Sequence, residues 1–110
     1  MLGRDSVTIN SGGEKIFAEE VEKALSAHPA VYDVVVVGRP HPRWGEEIVA
    51  IVSLRRGSTT TDTELQDTAS ALLARYKVPK QVLFVEEVRR NVIGKMDYTW
   101  ARERAEAAVV

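Results

Sequence analysis

The 110-residue sequence contains no cysteine, which excludes disulfides, thiolate metal sites and a cysteine nucleophile and fits a reducing compartment. Histidine is scarce as well. His28 and His41 stand far apart without a carboxylate pattern around them, so neither a metal site nor a serine, histidine and acid constellation can be drawn. Charge of one sign is missing: 15 Lys and Arg stand against 16 Asp and Glu. That balance gives no electrostatic reason to expect DNA, RNA or an anionic membrane as partner. No apolar run approaches the roughly 20 residues that a membrane span needs. The segment from Met1 to Asn10 has no long apolar stretch behind a basic one, so it is not read as a signal peptide. These absences predict a soluble cytoplasmic domain, and the abrupt start at Leu2-Gly3-Arg4 suggests a domain excised from a longer chain.

What is present is enough for one core. Hydrophobic residues make up 45% of a chain long enough for a single compact domain and too short for two. Ser6 to Ile9 reads as a short strand, and Asn10-Ser11-Gly12-Gly13-Glu14-Lys15 as a polar glycine loop. After Phe17, Val21, Ala24, Leu25 and His28 recur with helical spacing. Glu19, Glu20 and Glu22 enrich the first turns in acid, as the helix dipole favours, and Pro29 ends the helix near His28. Val31 to Gly38, with four consecutive valines, predicts a strand buried on both faces. Gly38 to Gly45 reads as a turn-rich loop holding Pro40, Pro42 and Trp44.

Ile48 to Leu54 is a second core strand, with Ile48, Ala50, Val52 and Leu54 on one face and Val49 and Ile51 on the other. The connection between these two strands is short enough for an antiparallel pair. Arg55-Arg56-Gly57-Ser58 closes the second as a turn. Thr61-Asp62-Thr63-Glu64 is a capping box opening a helix that carries Leu65, Ala69, Leu72, Leu73 and Tyr76 on one stripe. Lys77-Val78-Pro79 is expected to break it. Val82 to Val85 is a third core strand, Asn91 to Lys95 a loop, and Asp97 the cap of a last helix with Trp100, Ala101, Arg104 and Ala105 on one side. The expected class is α+β: a small, mostly antiparallel sheet with helices packed on it.

The residues alone name no reaction. His28 lies on an apolar helical stripe, as a packed or capping residue would. Glu86-Glu87 and the other acid pairs read as solvated faces. Gly12-Gly13 is either a place where backbone approaches a ligand closely or an ordinary turn. Lys95 behind Gly94 is a cation on a loop, the usual setting of a surface lysine. Trp44 beside Gly45 is a hydrophobic anchor for this domain or for a partner.

The ordered set is more specific than its pieces. Gly3-Arg4, then Ile9-Asn10-Ser11-Gly12-Gly13-Glu14-Lys15-Ile16-Phe17 and Glu19-Glu20-Val21-Glu22, resembles the hinge and glycine-loop motif of adenylate-forming enzymes. These are the acyl-CoA synthetases, peptide-synthetase adenylation domains and luciferases. His28-Pro29-Ala30-Val31, Val36-Val37-Gly38, Pro40 and Trp44-Gly45-Glu46 are similar to that family's next block. Tyr76-Lys77-Val78-Pro79 and Asn91 through Gly94-Lys95 are similar to its closing blocks. Gly94-Lys95-Met96-Asp97-Tyr98 with Trp100-Ala101 further resembles the fatty-acid-CoA ligases of actinobacteria. The resemblance covers nearly the whole chain in the family's order. At the hinge, where the family carries Asp or Lys, Ser6 stands with Asp5 before it. Val92-Ile93 stands where a proline and a small hydroxyl residue are common.

The resemblance implies that residues 1–110 form a C-terminal lid whose large N-terminal AMP-binding domain is absent from this chain. ATP and coenzyme A are then substrates, with Mg2+ in the full enzyme, and none is held by the lid alone. A fatty or other carboxylic acid becomes an acyl-adenylate with release of pyrophosphate; the lid rotates and coenzyme A takes the acyl group. Lys95 is implied as the catalytic cation, since a carboxylate attacking a phosphate brings negative charges together. Arg4 on the nucleotide side of the hinge, Gly12 and Gly13 along the pantetheine tunnel, and Lys15 near phosphate are the implied binding residues. No metal ligand is implied in this domain. The competing expectation, a small free-standing regulatory or ligand-binding domain, is separated from the first by whether a large domain precedes Met1.

Overall fold

The structure is a computed structural model that describes residues 8–43, 45–90 and 97–108. Successive side chains of a strand point to opposite faces, so four valines in a row need cover on both sides. The first six elements are β1 (Thr8–Ser11), β2 (Glu14–Phe17), α1 (Ala18–Ser26), β3 (Val31–His41), β4 (Gly45–Leu54) and α2 (Asp62–Leu72). A 3-10 turn (Arg75–Lys77), β5 (Gln81–Phe84) and α3 (Tyr98–Ala107) complete the described chain. Val34, Val36, Ala50 and Val52 join Ile9 and Ile16 under α1 and α2, represented by Val21, Leu25, Leu65 and Ala69. Val35, Val37, Val49 and Ile51 join Ala101 and Ala105 of α3 on the other face. The result is three layers, α1 and α2 on one side of the sheet and α3 on the other, which is the expected α+β class.

β3 and β4 pair antiparallel from Val34↔Val52 through Gly38↔Ile48 to His41↔Gly45, with β4 faces divided as the alternation predicts. The ladder runs further than expected: Gly38 to His41 continue β3 instead of opening a loop. Arg39 supplies the physical reason. It is buried, its Nε donates to Glu47 Oε1 at 2.9 Å, and its Nη1 donates to Gln81 Oε1 at 2.6 Å and to the Ala105 carbonyl at 2.9 Å. One guanidinium thereby joins β3, β4, β5 and α3. Pro40 is tolerated because the amides of Val34 and Val36, on the same side of the strand, already point away from β4.

The sheet order is β2-β1-β4-β3, with β5 pairing β4 in parallel over Val49↔Gln81 to Val52↔Phe84. β5 lies one residue earlier than expected, although the Val85 amide still bonds the Val52 carbonyl at 2.9 Å. Two helix caps are as expected: Thr61 Oγ1 accepts from the Glu64 amide at 3.1 Å, and Asp97 Oδ1 from the Trp100 amide at 3.0 Å. The end of α2 is not. The helix stops at Leu72 rather than at Lys77-Val78-Pro79, because Leu73 turns extended and packs against the core while Leu72 and Tyr76 stay exposed. Among the described residues no helix is long and apolar enough to cross a membrane.

Candidate functional site

The expected loop Asn10 to Lys15 is instead a β-hairpin. β1 and β2 pair through Thr8↔Phe17, Ile9↔Ile16, Asn10↔Lys15 and Ser11↔Glu14, leaving Gly12 and Gly13 as a two-residue turn. Two-residue turns that match the twist of the strands need positive φ at the first central residue or, in the type I′ form, at both. Gly12 has φ 60° and Gly13 φ 84°. A strand therefore separates the glycines from α1, a feature hidden in the sequence because Glu14-Lys15 is polar and only Ile16 faces the core. Conformation, not crowding, demands Gly13: a Cβ placed there meets nothing within 4 Å. The turn thus offers bare backbone at an open surface. Lys15 stands exposed on the strand face opposite Ile16.

The turn end of the hairpin is held from β4. Ser11 pairs with Gly45, and the Asn10 amide donates to Glu46 Oε1 at 2.9 Å. Gly38 makes room for that carboxylate, since a Cβ there would stand 2.5 Å from Glu46 Oε2 and 3.1 Å from Ile9 Cγ2. The Tyr76-Lys77 block comes to the same side: Lys77 Nζ donates to Glu20 Oε1 at 2.7 Å. That bond, reinforced by Glu20 and Glu14 charge, raises the lysine above its ordinary pKa. Phe17 and Tyr76 remain among the exposed large hydrophobics. Of the site residues expected from sequence, Gly12, Gly13 and Lys15 are brought into one hairpin. Arg4 and Lys95 lie outside the described residues, as do Ser6, Trp44, Val92, Ile93 and Gly94.

Both histidines are occupied locally. His28 Nδ1 accepts the Ala30 amide at 3.1 Å just beyond α1, and His41 Nδ1 accepts the Arg43 amide at 3.1 Å. Among the described residues no group of three or more His, Cys, Asp or Glu could hold a metal ion. Residue-level reading missed Glu22. Its carboxylate is partly buried where Oε2 accepts from the Val36 amide at 2.8 Å and from the Tyr98 hydroxyl at 3.2 Å. Burial, helped by Glu19 and Asp33, outweighs those two bonds and pushes the carboxyl up to about 7. Burial and the Glu22 carboxylate together raise the Tyr98 phenol above its ordinary value.

Residues 20–95 match the family model described as the AMP-binding enzyme C-terminal domain. The chain belongs to that family. This AMP-binding C-terminal domain is 59% identical over 105 residues to the medium-chain acyl-CoA ligase Mig of Mycobacterium avium, a match covering 96% of the chain and 19% of the relative. It is 55% identical over 104 residues to the 3-oxocholest-4-en-26-oate–CoA ligase of Rhodococcus rhodochrous, covering 94% of the chain and 19% of that protein. The chain therefore spans about a fifth of the length of the curated relatives it matches. Among solved structures, ATP-bound MatB from Rhodopseudomonas palustris superposes with a TM-score of 0.88 at 31% identity, covering 96% of the domain and 21% of that chain. A fatty acyl CoA synthetase of Mycobacterium tuberculosis gives a TM-score of 0.85 at 37% identity, covering 94% and 20%.

Proposed function

We propose that this domain is the C-terminal lid of a cytoplasmic ATP-dependent fatty-acid-CoA ligase, residues 1–110 following a large N-terminal domain. The observation that carries the reading is that the chain aligns over nearly its whole length with a minor fraction of proteins named as acyl-CoA ligases. In the first half-reaction a carboxylate oxygen attacks the α-phosphorus of ATP, giving acyl-adenylate and pyrophosphate. In the second the coenzyme A thiol attacks the acyl carbon, giving the thioester and AMP.

Lys95 is the cation for the first step. A compact ammonium on a long stem can meet the phosphate and carboxylate oxygens as negative charge accumulates there. Arg4 holds the nucleotide side of the hinge, and Lys15 offers a second positive group toward phosphate. Gly12 and Gly13 serve the second step: their bare backbone at an open turn leaves passage for the narrow pantetheine arm. Mg2+ accompanies ATP in the full enzyme, and no residue of this domain is assigned to it.

The test is reconstitution. The domain alone, mixed with ATP, Mg2+, coenzyme A and a panel of fatty acids, should give no pyrophosphate and no thioester. The chain containing the large domain should give both. Turnover by the isolated domain, or none by the full-length protein with any carboxylic acid offered, overturns the reading.

A further inference from the structure

β3 is the last strand on its side of the described sheet, so its outward amides meet no neighbouring strand. Glu22 reaches that edge from α1 and accepts both the Val36 amide and the Tyr98 hydroxyl on one oxygen. Since α1 and α3 cover opposite faces, this oxygen ties the two helical layers around the rim of β3. Tyr98 is the first residue of α3 and stands three positions after Lys95. The rest of α3 is anchored by small residues, Ala101 and Ala105, further along the helix. At its start the main-chain supports are the Asp97 cap and the Asp97 amide on the Arg89 carbonyl at 3.2 Å.

We propose that Tyr98 is a positioning residue for adenylation: its hydroxyl, latched to Glu22, fixes the start of α3 and with it the point from which Lys95 is delivered. This rests on the role given to Lys95 above. The latch is sensitive to protons. Glu22 faces Glu19 on its own helix, Asp33 on β3 and Tyr98 on α3. Asp33 is itself held by Arg90, whose Nη2 lies 2.9 Å from both carboxylate oxygens. Burial disfavours the ionised carboxylate more than its two hydrogen bonds favour it, so the latched arrangement holds the Glu22 proton up to about 7 and loosens as pH rises through that range.

The experiment compares the two half-reactions in the full-length ligase carrying this domain, for wild type, Tyr98→Phe, Glu22→Gln and Lys95→Ala. Loss of one hydrogen bond predicts that Tyr98→Phe slows pyrophosphate formation about 5- to 10-fold. Thioester formation from supplied acyl-adenylate should stay at the wild-type rate. Glu22→Gln should remove a step near pH 7 from the adenylation pH profile, and Tyr98→Phe should add nothing to Lys95→Ala. Equal loss in both half-reactions, or wild-type adenylation by Tyr98→Phe while Lys95→Ala is crippled, overturns the positioning role alone. Full adenylation by Lys95→Ala overturns the Lys95 reading and this inference with it.

Discussion

Gly13 and Gly57 form a matched pair that separates a ligand role from a backbone role. Gly13 has φ 84° and Gly57 φ 78°, and a Cβ at either would meet nothing within 4 Å. Leucine at each position therefore carries the same penalty without a clash: about 1–2 kcal/mol for holding an L-residue in the left-handed region. For a domain of this size each kilocalorie lowers the melting temperature by about 4–8 °C. Gly13→Leu and Gly57→Leu should thus melt at similar, moderately lowered temperatures. Their chemistry should differ. Gly57 lies in the turn after β4, whose Ser58 amide bonds the Arg55 carbonyl at 2.9 Å, and it has no assigned contact with coenzyme A. Gly57→Leu should spare both half-reactions in the full-length enzyme.

Gly13→Leu places a branched side chain in the open space proposed for pantetheine. Thioester formation should fall by roughly 100-fold or more, about 3 kcal/mol of barrier, and raising coenzyme A should restore little. Adenylation, in which Gly13 is assigned no role, should survive. Stopped-flow detection of pyrophosphate and chromatographic detection of thioester read the two steps separately. The tunnel reading is refuted if Gly57→Leu loses thioester formation to the same extent. It is equally refuted if Gly13→Leu loses both steps along with its melting temperature, the mark of a turn glycine without a ligand.

Other outcomes follow from the same geometry. Lys95→Ala should lower adenylation by roughly two to three orders of magnitude while sparing thioester formation from supplied acyl-adenylate; equal damage in both assays would make Lys95 structural. Arg39→Met leaves the partly buried Glu47 carboxylate without its guanidinium, with His41 Nε2 at 3.8 Å as its remaining neighbour, and should cost about 3 kcal/mol in urea denaturation, a loss that Arg39→Met with Glu47→Leu should reduce. Glu22 binds its proton more tightly in the folded state, up to about 7 against an ordinary 4.5, so its contribution to stability is full below about pH 4.5 and is lost as pH rises through about 7, by up to about 3 kcal/mol. Glu22→Gln should flatten that part of the melting-temperature profile, and an unchanged slope would show that the carboxyl does not titrate there.

The β3–β4 centre was legible because it has the simplest rule: alternation within Ile48 to Leu54 and an unbroken valine run leave one assignment of faces. The Thr61 and Asp97 caps were legible because the capping oxygen and the amide it meets are three residues apart. The hairpin was not, because two exposed polar residues and two glycines have the composition of a loop, and the pairing that makes them strands is with Thr8 to Ser11. The extension of β3 past Gly38 depends on Arg39 meeting Gln81 and Ala105, partners 42 and 66 residues away. Local spacing carries no trace of such distant partners. The two glycines stood out from the residues as a ligand approach or a turn, the family resemblance added Lys15 and the tunnel role, and the structure adds the sign of φ and the empty space beyond Gly13.

Acids show the same limit most clearly. As a class they read as solvated faces, and Glu86 and Glu87 are indeed exposed. Three others bind strand amides: Glu46 on Asn10, Glu22 on Val36 and Asp33 on its neighbour Val34. A main-chain amide has no residue identity, so no pairing of side-chain types betrays these contacts. Their effect is twofold. Carboxylates at a strand rim occupy donors that would otherwise template pairing with another chain, which is how β3 can remain an edge. They also bind the parts of the domain to which function is assigned, Glu46 at the turn end of the glycine hairpin and Glu22 at the first residue of α3. Removing either charge should therefore disturb a half-reaction before it disturbs the core, because the apolar layers under α1, α2 and α3 close without them.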